Sequence, residues 1–141
     1  METLDDTRTD PPMDIIEHVV RAQGWRFNRV EDDEMAAEFQ GRWCDFSLHF
    51  AYAEEVEAVH LTCAFDVRIP PRKRQHVFEL LALINDRLWL GHFSLWKDEG
   101  LPIYRHSIPL RGADGLAPEQ VEDLLDVAIA ECERFYPAFQ Y

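Results

Sequence analysis

Positive charge is scarce in this chain: 14 lysines and arginines face 27 aspartates and glutamates, for a formal net charge of −13. Affinity for phosphate backbones or anionic lipid needs clustered Lys and Arg, so this balance excludes nucleic acid and membrane surfaces as partners. Cysteine is scarce too. Cys44, Cys63 and Cys132 are odd in number and far apart, which argues against a disulfide framework and fits a reducing cytoplasm. No stretch approaches the roughly 18 consecutive apolar residues that a membrane span needs, and the first residues lack the basic start and apolar core of a signal peptide. Also missing are a G-x-S-x-G elbow, a phosphate loop or dinucleotide fingerprint, and any C-x-x-C pair. The six glycines read as caps and turns.

What is present suits one domain, since 141 residues can bury roughly two thirds of the surface of the unfolded chain. Residues 1–12 carry acids, threonines and prolines without apolar periodicity and read as a disordered lead-in; residues 13–141 form the domain. Ile15, Ile16, Val19 and Val20 predict a helix over Met13 to Gln23, closed by Gly24. Strands are expected at Trp25 to Val30 and Met35 to Gln40, on either side of Glu31-Asp32-Asp33. In the next hairpin Cys44, Phe46, Leu48, Phe50 and Tyr52 alternate with Trp43, Asp45, Ser47 and His49, and Val59, Leu61, Cys63 and Phe65 alternate with Ala58, His60, Thr62 and Ala64. A turn centred on Glu54-Glu55 would set Phe50 opposite Val59, Leu48 opposite Leu61 and His49 opposite His60. Phe93 to Trp96 and Ile103 to Leu110 form a last pair across Lys97-Asp98-Glu99-Gly100, with Pro109 marking an edge there. A final helix starts at Pro118 and presents Val121, Leu124, Leu125, Ala128 and Cys132 on one face. Aromatics from Phe135 to Tyr141 close the chain. The expected class is α+β: an antiparallel sheet with elements in the order helix, four strands, helix, two strands, helix.

The segment from Arg72 to Phe93 predicts a helix with too little polar surface. Projected at about 100° per residue, Val77, Leu80, Leu81, Ile84 and Leu88 make an ordinary core stripe. Phe78, Ala82, Asn85 and Trp89 make a second one, flanked by Leu83 and Leu90. Each large side chain left in water forgoes about 1.5–3 kcal/mol of burial free energy. Either the other helices of the same chain cover this side or a second subunit does. Asn85, set among apolar neighbours, would tie down a loop or fix the register of an interface.

Candidate chemistry is thin. Asp45, Ser47 and His49 collect the residue types of a hydrolase triad on one strand face. Same-face neighbours stand roughly 6.6 Å apart, whereas a nucleophile and its base need about 3 Å. The pair His49 and His60 supplies two metal ligands, too few for zinc. No metal or cofactor is expected. Arg72, Lys73 and Arg74 at the helix start, with Arg68, offer an anion-binding alternative, and Arg105 reads as the partner of an acidic group.

Three segments carry a resemblance: Leu80-Leu81-x-x-Ile84-Asn85-x-x-Leu88-x-x-Gly91-x-Phe93, then Tyr104-Arg105-x-x-Ile108-Pro109-Leu110, then Phe135-Tyr136-Pro137-Ala138. Together they resemble the YbjN family of bacterial sensory-transduction regulators, over most of Ile15 to Phe139. The resemblance implies a fold like that of the type III secretion chaperones, small acidic subunits that commonly pair and bind extended client segments. It carries no catalytic residues. The expectation is a nonenzymatic cytoplasmic protein, a homodimer with a further protein partner of unknown identity. Its contact residues would be Phe78, Ala82, Asn85 and Trp89. The rival expectation is an anion sensor built on Arg68, Arg72, Lys73 and Arg74.

Overall fold

Prolines set where the helices start. In the computed structural model, which describes residues 10–112 and 115–140, Pro12 opens helix α1 (Pro12–Gln23) and Pro118 opens helix α3 (Pro118–Phe135). Proline suits a first helical position because its missing N–H would have no intrahelical partner there. The helix therefore takes Pro12 from the expected lead-in; residues 1–9 of that lead-in, and the terminal Tyr141, lie outside the described residues. Gly24 ends α1 at φ 79°, where its N–H donates to the Arg21 carbonyl.

The strands are β1 (Phe27–Glu31), β2 (Glu34–Gln40), β3 (Asp45–Ala53), β4 (Ala58–Ala64), β5 (His92–Trp96) and β6 (Leu101–Pro109), with helix α2 (Arg74–Asn85) between β4 and β5. The expected order of helix, four strands, helix, two strands, helix holds. All pairings are antiparallel, in the spatial order β1-β2-β3-β4-β6-β5. The strand β6 thus lies inside the sheet. Its five-residue neighbour β5 pairs only with Leu101 to Arg105, so Pro109 falls where β6 has no strand on that side. Proline is tolerated there because its missing N–H costs no ladder bond.

The β3–β4 register differs from expectation by two residues. Phe50 faces Leu61, Leu48 faces Cys63 and Tyr52 faces Val59. The loop spans Glu54 to Glu57, and Glu57 takes a left-handed φ of 50°. A two-residue slip preserves side-chain parity, so the apolar sets stay on one face. It does separate the histidines: His49 faces Thr62, and His60 faces Ala51.

The inward face carries Met35, Phe46, Leu48, Phe50, Val59, Leu61, Cys63, Phe93 and Tyr104, all buried. Against it lie Ile16, Val19 and Val20 of α1 and Val121, Leu124, Leu125, Ala128 and Cys132 of α3, also buried. At one end the core turns aromatic. Phe93 meets Tyr104, Phe135 and Phe139 at ring-centroid distances of 5.2, 5.7 and 5.9 Å, and Phe65 meets Phe139 at 5.4 Å. Most of these contacts are edge-to-face or tilted, arrangements that aromatic quadrupoles favour.

Candidate functional site

The helix α2 is shorter than its hydrophobic pattern. A 3-10 turn at Pro71–Lys73 leads into it, and it stops at Asn85 instead of running on toward Gly91. The side chain of Asn85 accounts for the stop. Its Oδ1 accepts the Phe93 N–H at 2.7 Å, and its Nδ2 donates to the Phe93 carbonyl at 3.0 Å. Strand β5 is the sheet edge, so one amide side chain supplies both bonds that a further strand would have made to Phe93. An asparagine whose amide serves a neighbouring backbone competes with helix continuation. Residues Arg87 and Leu88 then close tight turns onto the Ile84 and Asn85 carbonyls.

Next comes a second fastening. The Tyr104 hydroxyl donates to the Leu90 carbonyl at 2.7 Å, beside Gly91 at φ 74°. A Cβ on Gly91 would collide with the Tyr104 hydroxyl and stand 2.7 Å from the Arg105 carbonyl oxygen. Asn85, Gly91, Phe93 and Tyr104 therefore form one lock between α2 and the β5–β6 edge.

This geometry places the expected contact residues unevenly. Of the core stripe, Val77 and Ile84 are buried, while Leu80, Leu81 and Leu88 are partly buried against the core. Among the described residues nothing covers the second side of α2. Phe78 is 50% exposed and Leu83 69%; Ala82 is exposed between them. Trp89 has left the helix for the following loop and is 98% exposed, with Leu90 next to it at 50%. Asn85 differs from Phe78, Ala82 and Trp89: it is half-buried and its amide is committed to Phe93.

The four cations of the anion reading are not gathered at one point. Arg68 donates to the Glu99 carbonyl at 2.7 Å and Arg74 to the Lys97 carbonyl at 2.8 Å, so both hold the β5–β6 turn. Arg72 and Lys73 are exposed in the 3-10 turn.

Asp45, Ser47 and His49 occupy the outer face of β3 without contacting one another; the ring of His49 meets Glu34 of β2 at 3.3 Å. A different serine and histidine do meet. His60 Nδ1 stands 2.7 Å from Ser107 Oγ, and His60 Nε2 stands 3.3 Å from Thr62 Oγ1. Sequence reasoning missed this pair because β4 and β6 are neighbours only in the folded sheet. Burial, then the nearby Arg105, His49 and His92, hold His60 below the ordinary histidine range. Arg105 lacks its expected acidic partner: among the described residues it forms no ion pair, and its Nε is buried without a hydrogen bond.

The three cysteines converge, though the chain spaces them far apart. Cys63 and Cys132 are buried and adjoin, with Cys44 beside them. Burial pushes the Cys44 thiol up to about 12 and that of Cys132 well above its usual value. Thiolate chemistry is disfavoured in such surroundings.

A family profile described as "putative bacterial sensory transduction regulator", YbjN, matches residues 12–141. The chain belongs to the YbjN family. Its fold is similar to the crystal structure of YbjN from E. coli, titled "a putative transcription regulator", with a TM-score of 0.61 at 10% identity. That similarity covers 88% of this chain and 87% of the other. Comparison with curated proteins finds no match. Family membership makes the chain a regulator-like protein rather than a member of a known enzyme family. No helix among the described residues is long and apolar enough to cross a membrane.

Proposed function

We propose that this YbjN-family chain is a nonenzymatic cytoplasmic regulatory module that acts through protein contacts, and that it pairs with a second copy across the outer side of α2. The observation that carries the reading is the run of exposed apolar side chains Phe78, Leu83, Trp89 and Leu90 on one helix and the loop leaving it. Large apolar groups held in water favour association, because their burial is the main driving force for it. A twofold axis lets one such surface cover itself, which a single helix face can satisfy without any other complementary patch. Ala82, small and exposed between Phe78 and Leu83, would let two helices approach closely. An extended client segment, as the likeness to secretion chaperones implies, would find the same surface available.

Light scattering at micromolar concentration tests the pairing. The expected result is twice the chain mass, falling to one chain mass in the double variant Phe78→Asp with Trp89→Asp, with unchanged far-ultraviolet circular dichroism. Both positions are exposed in the single chain, so the substitutions should spare the fold. A monomeric wild type sinks the dimer, and a double variant that stays dimeric places the interface elsewhere.

A further inference from the structure

The outer face of the sheet holds an arginine, two histidines and two hydroxyl side chains that the proposed pairing does not use. In the folded register Thr62 lies opposite Arg105, and Arg105 lies opposite His92, in one row across β4, β6 and β5. The adjoining row sets His60 opposite Ser107. Directly opposed residues bring their Cβ atoms to about 4.5–5.5 Å, so these side chains share a small area. His60, Arg105, His92 and Ser107 line an open pocket of about 340 Å³, and Trp89 and Leu90 form its other wall. That volume falls within the range of small-molecule sites.

Several features of the pocket point to an anion. Among the described residues no carboxylate lines it, in a chain where acids outnumber bases 27 to 14. Arg105 forms no ion pair among the described residues, and its Nε is buried without a partner. The guanidinium presents several fixed donors in a plane, a shape suited to two oxygens of a carboxylate or phosphate. On the same face Glu34 is bonded to His49, which lies on the far side of Thr62 from Arg105. The other end of the pocket is aromatic. Trp89, at 98% exposure, offers a ring face for stacking or for a flat apolar group.

We propose that this pocket binds a small organic anion, with its phosphate or carboxylate held by Arg105 and His92 and its flat ring resting on Trp89. With His60 Nδ1–H donating to Ser107 Oγ and Nε2 accepting from the Thr62 hydroxyl, the Ser107 O–H is left to donate to the anion's rim. The site is separate from the helix start, where Arg68 and Arg74 are occupied by carbonyls. It shares Trp89 and Leu90 with the proposed pairing surface, while the anion's anchors, Arg105 and His92, lie on the sheet.

Protein-observed NMR titration tests the assignment, with adenosine 5′-monophosphate and benzoate as the two anionic probes and adenosine as the neutral control. Scattering run in parallel reports the oligomeric state. Expected are saturable shifts at Arg105, His92 and the Trp89 indole for at least one anion, with a much weaker response to adenosine. Arg105→Gln should lower affinity by at least about tenfold, the scale of a lost charge-assisted pair. If that variant fails to fold, His92→Gln, at an exposed edge position, supplies the reading and should weaken binding in the same direction. Several results overturn the proposal: no saturation by either anion at millimolar concentration, affinity unchanged in the variant that folds, or shifts confined to Arg72 and Lys73.

Discussion

Replacing Asn85 by alanine removes the two bonds that finish the sheet edge at Phe93. Each contributes about 0.5–1.5 kcal/mol net, and a polar group stranded near the core costs more than an average bond is worth. Phe93 is 2% exposed and Asn85 half-buried, so water can replace the amide only in part. The expected loss is about 2 kcal/mol, equivalent to a thermal midpoint lower by roughly 4–8 °C for a domain of this size. Urea unfolding measures the first quantity, and hydrogen exchange locates it: the Phe93 amide should lose protection while amides of β3 and β4 keep theirs. Asn85→Asp is a sharper variant. It retains an acceptor for the Phe93 N–H but turns a carboxylate oxygen toward the Phe93 carbonyl, so it should be at least as destabilising. Unchanged midpoints together with an unchanged Phe93 exchange rate would refute the edge-sealing role. Weakened association at constant stability would move Asn85 into an interface.

Gly91→Ala should also destabilise the fold, by about 2 kcal/mol or more, because it combines a left-handed backbone with collision against Tyr104 and the Arg105 carbonyl; denaturant midpoints check this. Stability should fall on acidification below pH 6.5. Burial lowers the pKa of both His60 and His106 from that value, so below it the unfolded chain binds more protons than the folded one. Their contribution is complete above pH 6.5 and is lost as pH drops toward the folded values. His60→Gln with His106→Gln should flatten the stability profile between roughly pH 6.5 and 5, above the range where carboxylates titrate; a profile as steep as wild type would contradict it.

Much of the fold was legible because its signals are local. The α1 stripe of Ile15, Ile16, Val19 and Val20, the alternation of Phe46, Leu48 and Phe50, and prolines at two helix starts each act within a few residues. The exposed side of α2 was legible for the same reason, as an apolar surplus at helical spacing. The projection failed beyond Asn85, where periodicity continued but the backbone did not. Leu88, Trp89 and Leu90 keep helical spacing, yet the chain must turn to feed Phe93 into the core, and Asn85 is bonded to that strand. The β3–β4 slip had a similar origin: parity is set by the apolar pattern, whereas the loop from Glu54 to Glu57 sets the exact pairing.

The amino-acid sequence by itself determined the α+β class, the element order, the sidedness of β3 and β4 and the apolar surplus of the second helix. Those properties follow from side-chain periodicity against the 3.6- and 2-residue repeats of the backbone. Tertiary structure alone decided that β6 lies between β4 and β5, that Asn85 seals the edge at Phe93, and that His60, Ser107, Arg105 and His92 meet on one face. Strand order is a long-range choice governed by how the whole core packs, and neighbours 47 residues apart leave no periodic trace in the chain.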